Sequence, residues 1–501
     1  MKVSRSDVKQ LTEHALSERG IKLDSSWMRL ISTVRPLSND DKFVWQTGGP
    51  EFYVKMMHTY ISPPLWRARI VRFEGDIVAR AEEYHLFFDG KGTCIRFRHK
   101  IPEQWAGDSL SIDQAREIAQ TTIQKNFSLN PDSLKETYAS PIKHENRMDW
   151  IFTYSDTINY DLEQGDARIG VSISGNEVTD AFRYVHVPEK WLRDKKNREN
   201  FFSQIIILGD IFIFFLFTGA LIGSIAIIKH KKFSIRLFLW TLIIIFVFTI
   251  LDLFNRWPSI IADFSTSRPF FHQVFASLAF PLLGGLFLAS GPALIMGFIH
   301  SLKRNQKCEN KFKYILLAIF PAFLISGMYA LLEHFFRPSL QPPWSDSNIA
   351  SNLIPALGIA FSQLPNYIID TIIALLLFIA MDRFSDGWTK KKFLTSFLFI
   401  TTVFLIHGNN ANSPGYWIIY GIISSIVYFI LYLYVLRYQL SLIPLIMSII
   451  VILDMIQNAI FNPYPHIIPG TVIGIVLILT MGVTWFLILC QDRNKLTLRE
   501  I

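Results

Sequence analysis

Two patterns of apolar residues divide the chain near residue 200. Before that point, apolar positions recur at helical or alternating spacing among dense, mixed charges. After it, apolar runs of about 20 residues repeat, the length that a helix needs to cross a hydrocarbon core of about 30 Å. The pattern predicts an α+β soluble domain over 1–200, an all-α polytopic membrane domain of about nine helices over 201–491, and a cytoplasmic tail over 492–501.

The front domain contains an internal repeat. Each copy begins with an amphipathic helix, continues with a strand that starts at a tryptophan, and ends with a hairpin that turns at a glycine. Equivalent positions lie about 85 residues apart, so we predict one helix-plus-antiparallel-sheet repeat over 1–105 and a second over 106–200. The landmarks are helices 4–23 and 111–127, strands at Trp66 and Trp150, and turns at Gly90 and Gly175.

The densest group of ionisable residues in the front domain is Glu82, Glu83, His85 and Asp89. Alternation along a strand predicts that these residues form solvated strand faces and a turn. The alternative is a role in binding a peptide, for which edge strands suit strand addition, or in contacting the membrane domain.

Nine apolar runs predict the membrane spans. The fifth is long and carries Pro355 and Pro365, so it is either one bent helix or two segments. A short segment over 257–268 is expected at the membrane interface. The predicted spans are 202–228, 237–255, 271–299, 314–336, 352–381, 393–407, 416–436, 440–457 and 471–490.

Basic residues alternate between the loops. Lys and Arg are frequent in 229–236, 303–313, 382–392 and the tail, and scarce in the loops between them. The positive-inside rule then places the C-terminus in the cytoplasm and residues 1–200 outside. One conflict remains, because the sequence begins without an apolar signal or anchor. Either an anchor is missing from this start, or the front domain is cytoplasmic and the span count is wrong by one; we favour the first.

The net charge of +8 does not indicate a nucleic-acid partner. The basic residues lie mostly in short loops beside the apolar runs, where bilayer topology explains them. The expected partners are the lipid bilayer and, in addition, a membrane protein or a peptide.

Three ionisable residues mark the candidate site, because charge inside a membrane is costly and indicates function. Asp370 and Asp454 lie within apolar runs, and His407 ends one. The structural alternative pairs the aspartates with neighbours on their own helices, such as Asn366 and Gln457, and leaves His407 at the interface.

The whole layout resembles the long form of the CPBP family of intramembrane proteases (the CAAX protease and bacteriocin-processing family), whose members carry a doubled PepSY-like front domain. The core similar to that family lies at about 349–458. The resemblance implies a location in the cytoplasmic membrane of a bacterium. The segments that carry it are WRARIVRF, EEYHLFFDGKGTCIRFRHKIPEQWAGDSLSIDQAREIA, RIGVSISGNEVTDAFRYVHVPEKW and GMYALLEHFFRP.

The family's three catalytic motifs are incomplete here. The Glu-Glu-x-x-x-Arg motif falls on Ile369 and Asp370, with Ala374 in place of the arginine, and no Glu-Glu pair follows residue 200. The second motif keeps His407, and the third keeps Asp454 but not its histidine. A separate Glu333–Arg337 pair resembles the first motif and is interpreted as an ion pair at a helix end.

The missing residues favour a non-catalytic relative that binds a peptide, lipid or membrane partner. One alternative is an active intramembrane endopeptidase with Asp370 as base, His407 and Asp454 assisting, and a divalent metal such as zinc. The other is a small-molecule transporter whose broken fifth span lines a path, although the sequence contains no inverted repeat. Without catalysis, no cofactor is expected.

Overall fold

The computed structural model describes residues 2–34, 38–73, 81–162, 164–229, 233–302, 311–336, 342, 347–407, 414–461 and 466–490. The chain forms two compact units. The first contains Met1–Lys195, Phe254–Ala279 and Ser339–Pro355, and the second contains Lys196–Leu253, Phe280–Pro338 and Ala356–Ile501.

The first unit contains the two predicted repeats. In the first repeat, helix α1 (Arg5–Glu18) accompanies an antiparallel sheet of β1 (Met28–Val34), β2 (Leu65–Val71), β3 (Glu83–Phe88) and β4 (Cys94–Lys100), in that order. Ser4 starts α1 because its hydroxyl accepts from the Asp7 amide while the Asp7 carboxylate accepts from the Ser4 amide. Trp66 is fully buried in the core between this helix and its sheet.

The second repeat also consists of a helix followed by an antiparallel sheet. Helix α3 accompanies a sheet ordered β5, β6, β8 and β9, to which the two-residue strand β7 adds at β8. Ser111 and Gln114 form a capping box at the start of α3. The α+β fold and the doubling are therefore confirmed. The bounds are α3 Ile112–Phe127, β5 Lys135–Lys143, β6 Met148–Ser155, β7 Asp161–Leu162, β8 Gly165–Ser174 and β9 Glu177–His186.

Three elements of this unit were not predicted: β1, β5 and helix α2 (Asn39–Met56). Residues of α2 pack into the core of the second repeat, where Phe43, Val44 and Met56 are fully buried. Tyr60, just beyond α2, donates a 2.8 Å hydrogen bond to Asp156 of the second repeat. Each repeat therefore keeps a core of its own, and side chains of α2 complete the core of the second.

The first unit also includes two segments that connect apolar helices. Helix α6 (Trp257–Ala262) occupies the predicted interfacial segment, and a short 3-10 helix covers Ser347–Ser351. Both pack against β1, which is an edge strand of the first sheet.

The second unit is helical. Within the described residues, eight helical stretches are long and apolar enough to cross a membrane, and a ninth apolar helix has 16 residues. The bounds are α4 Glu189–Lys229, α5 Ile235–Asn255, α7 Phe270–Leu302, α8 Lys311–Phe336, α9 Pro355–Ser362, α10 Leu364–Phe384, α11 Lys392–His407, α12 Pro414–Leu431, α13 Ile443–Phe461 and α14 Ile467–Cys490.

The fifth span is two segments, α9 and α10, which meet at Gln363. Pro365 lies in the first turn of α10, where proline is tolerated because its missing amide would have no helical partner. Tyr367 and Ile372 of α10 are fully buried in the core of this unit, together with Leu442 and Phe486 from other elements. This core places α10 at the interior of the helical unit.

Candidate functional site

Three helices bring aromatic and polar side chains together in the second unit. Tyr329 of α8 stacks on Tyr420 of α12, with ring centroids 4.9 Å apart, and its hydroxyl lies 3.4 Å from that of Tyr428. The His407 ring, on α11, lies 4.8 Å from the Tyr428 ring. We call Tyr329, His407, Tyr420 and Tyr428 the aromatic cluster.

A backbone contact determines which His407 nitrogen carries the proton. Nδ1 lies 3.2 Å from the carbonyl oxygen of Val403, one helical turn earlier. A carbonyl only accepts, so Nδ1 is the donor and Nε2 of the neutral ring is an acceptor. The ring therefore offers a hydrogen-bond acceptor to a group that has a proton to donate.

Asp370 is the second predicted site residue near this cluster. It lies on α10, is exposed, and interacts electrostatically with Tyr428. Among the described residues its carboxylate makes no hydrogen bond, and the expected partner Asn366 instead donates to Gln363 at 3.1 Å. Asp370 and His407 thus both neighbour Tyr428.

Asp454, the third predicted site residue, lies on a different helix from Asp370 and His407. It is exposed on α13 and accepts a 3.1 Å hydrogen bond from Asn458, one turn later on the same helix. This is the intrahelical pairing that the structural alternative predicted, with Asn458 in place of Gln457.

Polar atoms without hydrogen-bond partners lie near the aromatic cluster. Ser326 precedes Tyr329 by about one turn of α8, and Trp417 of α12 belongs with Tyr329 to the apolar cluster around Tyr420. The Ser326 hydroxyl and the Trp417 indole nitrogen are shielded from solvent and find no partner in the part of the chain that the structure describes. Buried polar groups are nearly always paired, so these two atoms indicate that a further polar group belongs here.

The tyrosines of the cluster were missed by sequence reasoning, although a signal for them exists. Tyr416, Tyr420, Ser424 and Tyr428 recur every four residues, which places them along one face of α12. All four are buried in the helical unit. A polar stripe on an apolar helix predicts an inward-facing site as well as a single charge does.

Glu83 and His85 are not solvated as the alternation predicted, whereas Asp89 lies in the predicted turn, where its side chain accepts from the Lys91 amide at 2.8 Å. Glu83 is only 4% exposed and forms a bidentate pair with Arg69, at 2.8 and 3.0 Å. His85 lies 3.0 Å from Glu83, and the Thr266 hydroxyl donates to Glu83 at 2.9 Å. We call Arg69, Glu83, His85 and Thr266 the connector network, because Thr266 lies in the segment that connects α5 and α7.

In the connector network, burial and hydrogen bonding have opposite effects on the pKa values of Glu83 and His85. Burial alone would raise the pKa of Glu83, but hydrogen bonds from His85 and Arg69 outweigh it and hold that pKa well below its usual range. Burial lowers the pKa of His85, and the contact with Glu83 only partly compensates. Near neutral pH the network therefore contains an ionised carboxylate and a neutral imidazole.

The described residues include no group of three His, Cys, Asp or Glu side chains arranged as metal ligands. Glu333, from the Glu333–Arg337 pair that resembles the first motif, lies near the end of α8. Arg337 lies outside the described residues. The loop residues Asn409 and Asn410 beside His407 also lie outside them.

Comparison with known proteins returned no match to this chain among protein-family models, curated proteins or solved structures.

Proposed function

We propose that this chain is a polytopic membrane protein, related to the CPBP intramembrane proteases, that binds a ligand at the aromatic cluster without cleaving it. The observation that carries the proposal is the pair of shielded, unpartnered polar atoms of Ser326 and Trp417 beside that cluster. A bound group with hydrogen-bonding capacity would satisfy them, at a depth where an unpaired polar group costs several kcal/mol.

The chemistry of the cluster favours a ligand that donates hydrogen bonds. The acceptor nitrogen of His407, the carboxylate of Asp370 and the tyrosine hydroxyls suit the amides of a peptide or the hydroxyl and ammonium groups of a lipid headgroup. Hydrolysis needs a general base aligned with a second catalytic group. Among the described residues, no side chain makes a hydrogen bond to the remaining nitrogen of His407, Nε2, so no second catalytic group is aligned with it.

The segments of the first unit support an extracytoplasmic front domain. Phe254–Ala279 and Ser339–Pro355 belong to the same compact unit as Met1–Lys195. Both overlap loops that are poor in Lys and Arg, and such loops face away from the cytoplasm. The front domain therefore belongs on their side of the membrane, and the C-terminal tail in the cytoplasm.

The test is photo-crosslinking of the full chain in lipid nanodiscs, with two separate probes: a diazirine-labelled phospholipid and a diazirine-labelled apolar peptide. We expect one probe to label peptides from α8, α11 or α12. Tyr428→Phe together with His407→Ala should lower that labelling at least fivefold. Tyr434→Phe is the matched control, because Tyr434 is 76% exposed on the same stretch of chain. Equal labelling in all variants would reject the site.

A cleavage assay tests the enzymatic alternative. The same nanodiscs are incubated with apolar peptides and analysed on gels, beside Asp370→Ala and His407→Ala variants. We expect no cleavage by any form. Cleavage by the unmodified chain that disappears in both variants would overturn the non-catalytic assignment.

A further inference from the structure

The first repeat is incomplete without the segment that connects α5 and α7. Ala262, at the end of α6, is fully buried in a small core with Leu30 of β1 and Val71 of β2. Phe73 extends this contact to Phe270, the first residue of α7, with ring centroids 5.1 Å apart. The edge of the sheet is therefore covered by a segment more than 200 residues away in sequence.

The connector network attaches the same segment through hydrogen bonds. The Arg69 guanidinium donates to the carbonyl oxygens of Ala262 and Phe264, at 3.2 and 2.6 Å. It also holds Glu83, which accepts from the Thr266 hydroxyl. One buried arginine thus links two strands of the sheet to three residues at the end of α6. Because these groups are buried, losing one of them leaves the others without partners.

A second connecting segment joins the first. The hydroxyls of Ser259 and Ser351 lie 2.6 Å apart, and the Asn255 side chain accepts from the amide of Ile354 at 2.8 Å. Ala350 packs against the core of the first repeat. The chain then enters α9 at Pro355, so α5, α7 and α9 all begin or end in these attached segments.

We propose that the first repeat is a built-in regulatory device that holds the ends of α5, α7 and α9 as one set. The connector network holds the segment before α7, and the Ser259–Ser351 and Asn255–Ile354 contacts join the start of α9 to it. Any partner that distorts β1 or β2 would shift these three helix ends together. This inference does not depend on the ligand proposed for the aromatic cluster, since it concerns only the attachment of the helices.

A neighbouring ion pair provides the control. Arg67 donates to Asp263 at 2.6 Å, but the Asp263 side chain is 75% exposed, and exposed pairs contribute little. Arg67 and Arg69 face the same connecting segment from the same strand. Comparing substitutions of the two separates the buried network from a surface contact.

The test is amide hydrogen exchange of the full chain in nanodiscs. Thr266→Val removes the hydroxyl and leaves the Arg69–Glu83 pair in place. We expect exchange to accelerate about fivefold or more over 257–270 and over the first turns of α7 and α9. Peptides of the second repeat and the Arg67→Gln variant should exchange as the unmodified chain does.

Arg69→Gln should accelerate exchange in the same segments more strongly, because it removes both carbonyl contacts. If this variant fails to fold, Thr266→Val still decides the question. Unchanged exchange over 257–279 and 355–362 in Thr266→Val would overturn the proposal. Faster exchange in 257–262 alone, with α7 and α9 unaffected, would also overturn it, because the helix ends would then not be held as a set.

Discussion

His99 illustrates what a single buried side chain contributes in the front domain. Its ring stacks on Tyr84 and lies 2.7 Å from Glu177 and 3.2 Å from Glu82. Burial alone would lower the pKa of His99, but the hydrogen bonds to the two carboxylates outweigh it and raise the pKa to about 9. Glu177 belongs to the second repeat, so the protonated imidazole joins the two repeats.

This pairing predicts a stability that depends on pH. The pKa of His99 is higher in the folded chain than the ordinary value of about 6.5, so its stabilisation is complete below that value and is lost as pH rises towards 9. After allowance for solvent screening, we expect a loss of about 2 kcal/mol and a fall in Tm of several degrees.

Thermal unfolding of the full chain between pH 6 and pH 9.5 measures this loss. His99→Gln should be less stable than the unmodified chain at pH 6 and similar to it at pH 9.5. His14→Gln, at an exposed position, should follow the unmodified profile. If the Tm of all three proteins changed with pH in the same way, the role assigned to His99 would be contradicted.

At the scale of elements, the free edge of the second sheet shows how pairing with a strand of another chain is prevented. Strand β5 is an edge, and Tyr138 and Ile142 on it are 55% and 41% exposed. Pro141 offers no amide, Lys135 and Lys143 end the strand, and a register shift interrupts it. These features discourage strand addition at this edge.

Pro141→Val should therefore promote self-association. Valine restores an amide and extends an apolar edge, so we expect a concentration-dependent dimer of the full chain in size-exclusion chromatography. The control variant Pro131→Ala, in a short helix outside the sheet, should elute as the unmodified chain does. A Pro141→Val protein that elutes as the unmodified chain does at every concentration would show that the edge is protected by other means.

Helix α14 shows why glycine recurs in the membrane domain. A Cβ at Gly482 would lie 2.6 Å from the Ser448 hydroxyl and 3.2 Å from the Pro444 carbonyl oxygen of α13. Gly474 would meet Ala360 of α9 at 3.2 Å. Close approach of helix backbones depends on such positions. On α7, Gly285 faces Thr249, whereas none of the described residues lies near Gly284.

Gly482→Leu should separate α13 from α14. We expect a Tm decrease of roughly 5 °C or more in detergent, because a backbone carbonyl cannot move aside. Gly284→Leu adds the same side chain in open space and should change the Tm by less than about 2 °C. Similar Tm values for the two variants would argue against close packing at Gly482.

At the scale of the whole molecule, membrane topology is the property that most constrains function. The front domain belongs to one compact unit with segments that precede α7 and α9. Because those segments are poor in Lys and Arg, the positive-inside rule supports the proposal that the unit lies on the outer side. A ligand in the outer space would then have direct access to the front domain.

Labelling of single cysteines tests this assignment. In a background without native cysteines, Ser25→Cys in the front domain should react with a membrane-impermeant maleimide added to intact cells. Lys390→Cys, in the basic loop before α11, should react only after the membrane is permeabilised. Both positions are exposed. The reverse pattern would place the front domain in the cytoplasm.

The sequence alone was sufficient to predict the features that depend on local composition and on the spacing of apolar residues. Apolar runs of bilayer length determined the spans, and the capping residues Ser4 and Ser111 determined where α1 and α3 begin. The repeat was readable because equivalent tryptophans and glycines have the same spacing. These signals act within a few residues of one another, so no tertiary contact is needed to interpret them.

Only the tertiary structure decided which distant residues meet. Glu83 lies on a strand with an alternating pattern, yet the contacts that bury it come from Arg69 and from Thr266, which lies 183 residues later. Asp370 and His407 stood out in the sequence as ionisable residues. Tyr428, which interacts with both, did not, because a tyrosine in an apolar helix gives no sign of a site until the structure shows which polar groups its hydroxyl contacts. Burial and side-chain pairing are properties of the packed chain. The spacing of apolar residues along one segment does not show which other segment packs against it.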